Sequence, residues 1–130
     1  MELKLYYCET CKSLIEVLNA NSTVKVTCCG KDMKKIEPNT VDAAIEKHIP
    51  FVNIEDNSLF ISVGEVLHPM TEEHYIYTIY VLDDLGNMQK ISFKPTDSPE
   101  VSVSFNENAK KLRIYSYCNI HGLWLKEIEL

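Results

Sequence analysis

The chain has no apolar run long enough to cross a bilayer, and its opening stretch, Met1-Glu2-Leu3-Lys4-Leu5-Tyr6-Tyr7-Cys8, lacks the apolar segment of a secretory signal. A cytoplasmic location with no membrane partner is the expectation. A basic excess is also missing: 13 Lys and Arg stand against 19 Asp and Glu, for a net charge of −6. With no basic stripe to neutralise phosphates, nucleic acid is excluded as a partner. The five cysteines do not make an even set. In a reducing compartment that argues against a disulfide framework and for metal binding. Internal repeats and low-complexity segments are absent. Histidine is scarce, with four in 130 residues: His48, His68, His74 and His121.

What is present describes a folded protein. Apolar residues make up 45%, charged residues 25%, and there are seven tyrosines. The length suits one ordinary domain, or a small module joined to a medium one.

Residues 1–37 read as the small module. A short strand at Leu3–Tyr6 precedes Cys8-Glu9-Thr10-Cys11, and a second strand is expected near Leu14–Leu18. A polar turn at Asn19–Ser22 follows, and Val24-Lys25-Val26 leads into Cys28-Cys29-Gly30. So few apolar residues bury little surface, and a unit this small needs a metal to fold. Lys31–Thr40 reads as a linker, and Val41–Ile45 as one helical turn with Thr40 as its N-cap. Residues 38–130 then carry seven short strands, at Phe51–Ile54, Leu59–Val63, Tyr75–Leu82, Met88–Phe93, Val101–Phe105, Lys111–Tyr117 and Leu123–Ile128. The breaks between them are turn signals such as Asp56-Asn57 and Asp84-Leu85-Gly86-Asn87. This pattern predicts an antiparallel β-sandwich, so the whole chain is expected to be all-β.

Two sets of residues carry chemistry. The first is Cys8, Cys11, Cys28 and Cys29, spaced C-x2-C, sixteen residues, C-C. Four thiolates from two knuckles suit a tetrahedral ion, and iron and zinc fit equally well. The adjacent pair Cys28-Cys29 is expected to distort the tetrahedron. The second set is the four histidines with Cys118. His48 lies close to Pro50, and His68 directly precedes Pro69, which biases its backbone to extended geometry. His74 begins one strand, and Cys118 ends another beside His121 and Gly122. Loop and strand-end positions of this kind are where functional ligands cluster. Four imidazoles and a thiolate are too many donors for a closed zinc site. Five donors with an open sixth position suit iron, and an open position implies chemistry.

Glu46-Lys47-His48-Ile49-Pro50, the stretch from Val63-Gly64 through His68-Pro69-Met70 to His74-Tyr75-Ile76, and Tyr117-Cys118-Asn119-Ile120-His121-Gly122-Leu123-Trp124 closely resemble the superoxide reductases. The N-terminal cysteines resemble those of desulfoferrodoxin, the two-iron form of that family. The resemblance implies a desulforedoxin-like module followed by an immunoglobulin-like sandwich. It implies iron at Cys8, Cys11, Cys28 and Cys29. It implies a catalytic iron with His48, His68, His74 and His121 equatorial and Cys118 axial.

The implied reaction reduces superoxide to hydrogen peroxide, as a defence against oxidative stress. A rubredoxin-like carrier would supply the electron, and the chain would be a homodimer. Lys47 would draw in the anion and orient water for proton delivery. Glu46 would be the carboxylate that occupies the sixth position once the iron is ferric. Two positions depart from the family pattern: Lys12 stands where glycine is usual, and Thr78 where tryptophan is frequent. A positive φ at residue 12 would strain a lysine.

Three function classes follow. A reductase makes use of an open site beside Lys47. A pure electron relay does not need one. A zinc-stapled binding module leaves the histidines and Cys118 without a purpose. The reductase accounts for the most residues.

Overall fold

The computed structural model describes residues 2–18 and 25–130. The chain divides into two compact units, Glu2–Glu37 and Pro38–Leu130. The turn expected at Asn19–Ser22 lies outside the described residues.

In the first unit, β1 (Leu5–Tyr7) pairs antiparallel with β2 (Leu14–Glu16) on one side and β5 (Lys34–Lys35) on the other. A separate two-residue ladder joins β3 (Thr27–Cys28) to β4 (Lys31–Asp32). Lys31–Lys35, expected as linker, therefore belongs to the module. Its short strands close the second cysteine knuckle, and two-residue ladders leave no periodic trace to read. Both knuckles turn through left-handed backbone: Lys12 has φ +66°, Cys29 +54° and Gly30 +74°.

The second unit is an antiparallel sandwich. Its three-stranded sheet runs β10-β7-β6, from Glu100–Ser104, Ser58–Val63 and Pro50–Glu55. Its four-stranded sheet runs β12-β11-β8-β9, from Gly122–Glu129, Lys111–Cys118, Ile76–Asp83 and Met88–Ser92. All seven strands expected from the turn signals are present, with no end shifted by more than one residue.

The core sits between the sheets. Leu59, Ile61 and Val63 of β7 meet Ile79 and Val81 of β8 and Leu112, Ile114 and Cys118 of β11. These residues recur at every second position, as one face of a strand must. Ile76 breaks that period, because the β8–β11 register slips between Tyr117 and Cys118. The irregularity lets Ile76 and Cys118 both join the core at the end of the sheet that bears the donors.

The helical turn differs from expectation. It is α1, Ile45–His48, and Ala44 rather than Thr40 is its N-cap, with extended backbone and no side-chain cap bond. It stops where it does because Ile49 precedes Pro50 and takes extended geometry, φ −69° and ψ 128°. Glu46 in its first turn and Lys47 in its last complement the backbone dipole.

Candidate metal centres

Four segments of the sandwich bring the second donor set together. His48 ends α1, and the buried Ser116 hydroxyl on β11 donates to its carbonyl at 2.7 Å. His68 lies in the loop after β7, where its amide donates to the Val63 carbonyl at 2.6 Å. His74 closes a small ring with Thr71, whose backbone and hydroxyl both bond to it. Cys118 and His121 flank the β11–β12 hairpin, where Cys118 pairs with Gly122. Gly122 has φ +77°, which a side chain rarely adopts in such a turn.

The close approach of these segments depends on Gly64. A Cβ there would lie 2.5 Å from the Glu46 carbonyl oxygen and 2.8 Å from that of Ile49. Only a glycine lets the end of β7 pass this close to α1.

The donor atoms of His48, His68, His74, His121 and Cys118 all lie within 4.8 Å of one another. His48 and His68 are almost fully buried. His48 Nδ1 lies 2.7 Å from the Ala44 carbonyl, and His68 Nδ1 lies 2.7 Å from the Pro69 carbonyl. Each Nδ1 therefore carries the proton, and each Nε2 presents a lone pair. Those two Nε2 atoms face each other at 3.1 Å, and His48 Nε2 lies 3.0 Å from His121 Nδ1.

Protonating one ring would relieve the opposition, but burial works against it. Burial pushes the His48, His68 and His74 imidazoles below their ordinary pKa, His68 to about 4. His74 Nε2 is buried and has no hydrogen-bond partner. Converging lone pairs with no proton to share are what a cation resolves. Two nitrogens bound about 2.1 Å from one ion at right angles stand about 3.0 Å apart, as these do.

Burial likewise pushes the Cys118 thiol up. The His121 and Ile120 amides pull the other way, and His121 N–H reaches Cys118 Sγ at 3.4 Å. A cation is the missing stabiliser of the thiolate. The donor set of imidazoles with one thiolate fits iron.

The first donor set, Cys8, Cys11, Cys28 and Cys29, also gathers within 4.8 Å. Cys11 Sγ lies 3.6 Å from Cys28 Sγ, and Cys28 Sγ lies 3.8 Å from Cys29 Sγ. Sulfurs at the corners of a tetrahedron around an ion about 2.3 Å away stand about 3.8 Å apart, so the spacing fits a single metal. The Ser13 hydroxyl and amide hold the Cys11 thiol at about 6, while the neighbouring Cys11 and Cys8 sulfurs push Cys28 up to about 12. Four sulfurs this close cannot all shed protons without a cation between them.

Glu46 and Lys47 are exposed on α1, directly before His48. The Glu46 carboxylate is not one of the gathered donors, and Glu46 lines a surface cleft of about 250 Å³ with Glu65 and Lys126. Two supporting residues had no reading from sequence. Ser116 reads as a core-facing strand residue until its bond to His48 is seen. Trp124 stacks on the His48 ring, with centroids 5.0 Å apart, and its indole N–H donates to the His121 carbonyl at 3.1 Å. Its place within the motif around Cys118 was the only signal. Thr78 is buried in β8 between Tyr117 and Ser92, and contributes no donor.

Comparison with known proteins agrees with this geometry. Residues 40–127 match the family model described as Desulfoferrodoxin. A desulfoferrodoxin from Desulfarculus baarsii is 44% identical over 126 residues, covering 96% of each chain. A desulfoferrodoxin homolog from Archaeoglobus fulgidus is 39% identical over 122 residues, covering 94% of each. Among solved structures, the superoxide reductase from Treponema pallidum aligns with a TM-score of 0.78 at 32% identity, over 97% of this chain and 99% of that one. The superoxide reductase (1Fe-SOR) from Giardia intestinalis aligns at 0.56 and 33% identity, over 65% of this chain and 99% of its own. Matched through both its cysteine unit and its sandwich, and with its donors gathered as iron requires, the chain belongs to the desulfoferrodoxin family of iron-binding oxidoreductases.

Proposed function

We propose that this chain is a superoxide reductase, converting one superoxide to hydrogen peroxide with one electron and two protons. The observation that carries the reading is the convergence of five donors, with the Nε2 lone pairs of His48 and His68 opposed at 3.1 Å and that of His74 unpartnered. When bound there, ferrous iron supplies the electron and a cationic face for the anion.

His48, His68, His74, His121 and Cys118 would hold that iron. The carbonyls of Ala44 and Pro69 fix two of the rings in the ligating tautomer. The backbone amides at Cys118 temper the charge of its thiolate. Lys47 places a positive charge one residue from His48, so it draws in superoxide against the net charge of −6 and orders the water that delivers protons. Glu46, on the other side of Lys47, would offer a carboxylate in place of the product anion and so favour its release.

Residues 1–37 would form a desulforedoxin-like module with iron at Cys8, Cys11, Cys28 and Cys29, where zinc fits the same sulfurs. Residues 38–130 would form the catalytic domain. The electron would come from a rubredoxin-like carrier, and the chain would act as a cytoplasmic homodimer in defence against oxidative stress.

The test is anaerobic addition of superoxide to the reduced, iron-loaded protein with a one-electron donor. The expected result is one peroxide and one oxidised donor per superoxide, with no oxygen released and no turnover in Cys118→Ser. Oxygen and peroxide in equal amounts, without donor oxidation, would mean dismutation and overturn the proposal.

A further inference from the structure

We propose that Asn119 is a positioning residue that holds His74 in register with Cys118. This rests on reading the five donors as a metal site.

The other imidazoles each have a local restraint. His48 and His68 are fixed through Nδ1 to backbone carbonyls, and His121 sits in the hairpin with its amide on Cys118 Sγ. The buried His74 Nε2 has no partner to orient it. Its placement must come from its backbone, which Thr71 bonds at residue 74 itself and Asn119 grips at the residues on both sides. Asn119 Oδ1 accepts the Tyr75 amide at 3.0 Å, and Asn119 Nδ2 donates to the Glu73 carbonyl at 2.8 Å. The Asn119 amide also donates to the Tyr75 carbonyl at 3.3 Å.

Asn119 therefore brackets His74, bonding residues 73 and 75, while being the chain neighbour of Cys118. Its Oδ1 lies 4.0 Å from Cys118 Sγ. An amide side chain suits this task because it offers one acceptor and one donor in a fixed plane. Aspartate lacks the donor, and serine lacks the reach. The clamp spans 44 residues of sequence and carries the β8–β11 ladder, whose last pair is Cys118 with Ile76, one step further into the loop that bears His74. Supports of this kind typically set metal affinity by about 10- to 100-fold.

The test uses the full chain with cobalt(II) as probe. Four-thiolate cobalt and cobalt held by imidazoles with one thiolate have different absorption spectra, so both centres can be followed in one competition with a chelator. Asn119→Ala is expected to weaken cobalt at the histidine site by about 10- to 100-fold and leave the cysteine site unchanged. Asn119→Asp, which keeps the Oδ1 acceptor, should recover part of the loss. In a His74→Ala background, Asn119→Ala should cost no further affinity, because its effect passes through that ring.

An equal loss with and without His74 would reduce Asn119 to a general structural role and overturn the inference. Unchanged affinity in Asn119→Ala would overturn it too. A wild-type chain that takes no cobalt at the histidines would overturn the reading of the donors themselves, and this inference with it.

Discussion

The Cβ that Gly64 lacks would stand 2.5 Å from the carbonyl oxygen of Glu46. That oxygen also accepts the Val66 amide at 3.0 Å, so α1 is fastened to the loop after β7 through backbone alone. Backbone atoms cannot swing aside as a side-chain tip can. Gly64→Ala must therefore move α1, and His48 moves with it. The expected cost is about 1–3 kcal/mol, as is typical of overpacking. Iron should be lost from the histidine site and kept at the cysteines, in a unit of its own. Metal analysis with thermal denaturation checks this, and full occupancy of both centres would refute it.

Ser116 makes a different kind of claim on the same helix. It is fully buried, and its hydroxyl satisfies the His48 carbonyl at 2.7 Å. Ser116→Ala leaves that carbonyl buried without its partner, which costs about 1–3 kcal/mol. Urea denaturation should show a lower midpoint with an unchanged slope. Because His48 keeps its Nδ1 bond to Ala44, the imidazole stays oriented, and metal binding should weaken less than in Gly64→Ala.

The strands of the sandwich could be read from sequence because each lies between turn signals and alternates across a buried face. Leu59, Ile61 and Val63 show that alternation plainly. The donors were legible for another reason: each lies beside a proline, a glycine or a strand end. What could not be read is what depends on distant pairing. The bond from Ser116 to His48 crosses 68 residues, and nothing near Ser116 announces it. The start of α1 is not legible either, because Ala44 caps it with no side-chain bond, so the usual residue type is absent. The slip at Tyr117/Cys118, which admits Ile76 to the core, is a register effect that period-two alternation hides.

Acid should unfold the metal-free protein over a definite window. His48, His68 and His74 have pKa values lowered by burial, His68 to about 4 from an ordinary 6.5. Above about pH 6.5 these rings are neutral in both folded and unfolded chains, and they add no pH dependence. Between about 6.5 and 4 the unfolded chain binds protons that the folded chain refuses, so stability falls as pH falls. His68 alone accounts for roughly 3 kcal/mol across that window. Urea midpoints of chelator-treated protein at pH 7 and pH 4.5 measure it. A midpoint that holds steady, or rises on acidification, would contradict the burial of these rings. Iron-loaded protein should lose metal in the same direction, since ligation needs the neutral ring.

Lys12 holds φ at +66°, directly after the ligand Cys11, and its amide donates to the Cys8 carbonyl at 2.9 Å to close the knuckle. A side chain in left-handed backbone costs about 1–2 kcal/mol, and glycine escapes that cost. The second knuckle divides the burden differently. There Cys29 must adopt φ +54° because it is itself a donor, and Gly30 follows at +74°. Relief is therefore open only at residue 12. Lys12→Gly should tighten metal at the four cysteines by about five- to thirtyfold, since 1.4 kcal/mol is a factor of ten. The offsetting loss is small, because the charge of Lys12 acts on the exposed Glu9 only weakly beside the Lys34 ion pair at 2.8 Å. Chelator competition followed by four-thiolate absorption reads the change, with the histidine centre as the unaffected reference. Weaker binding in Lys12→Gly would mean that the lysine supports the knuckle in a way its backbone angle does not reveal.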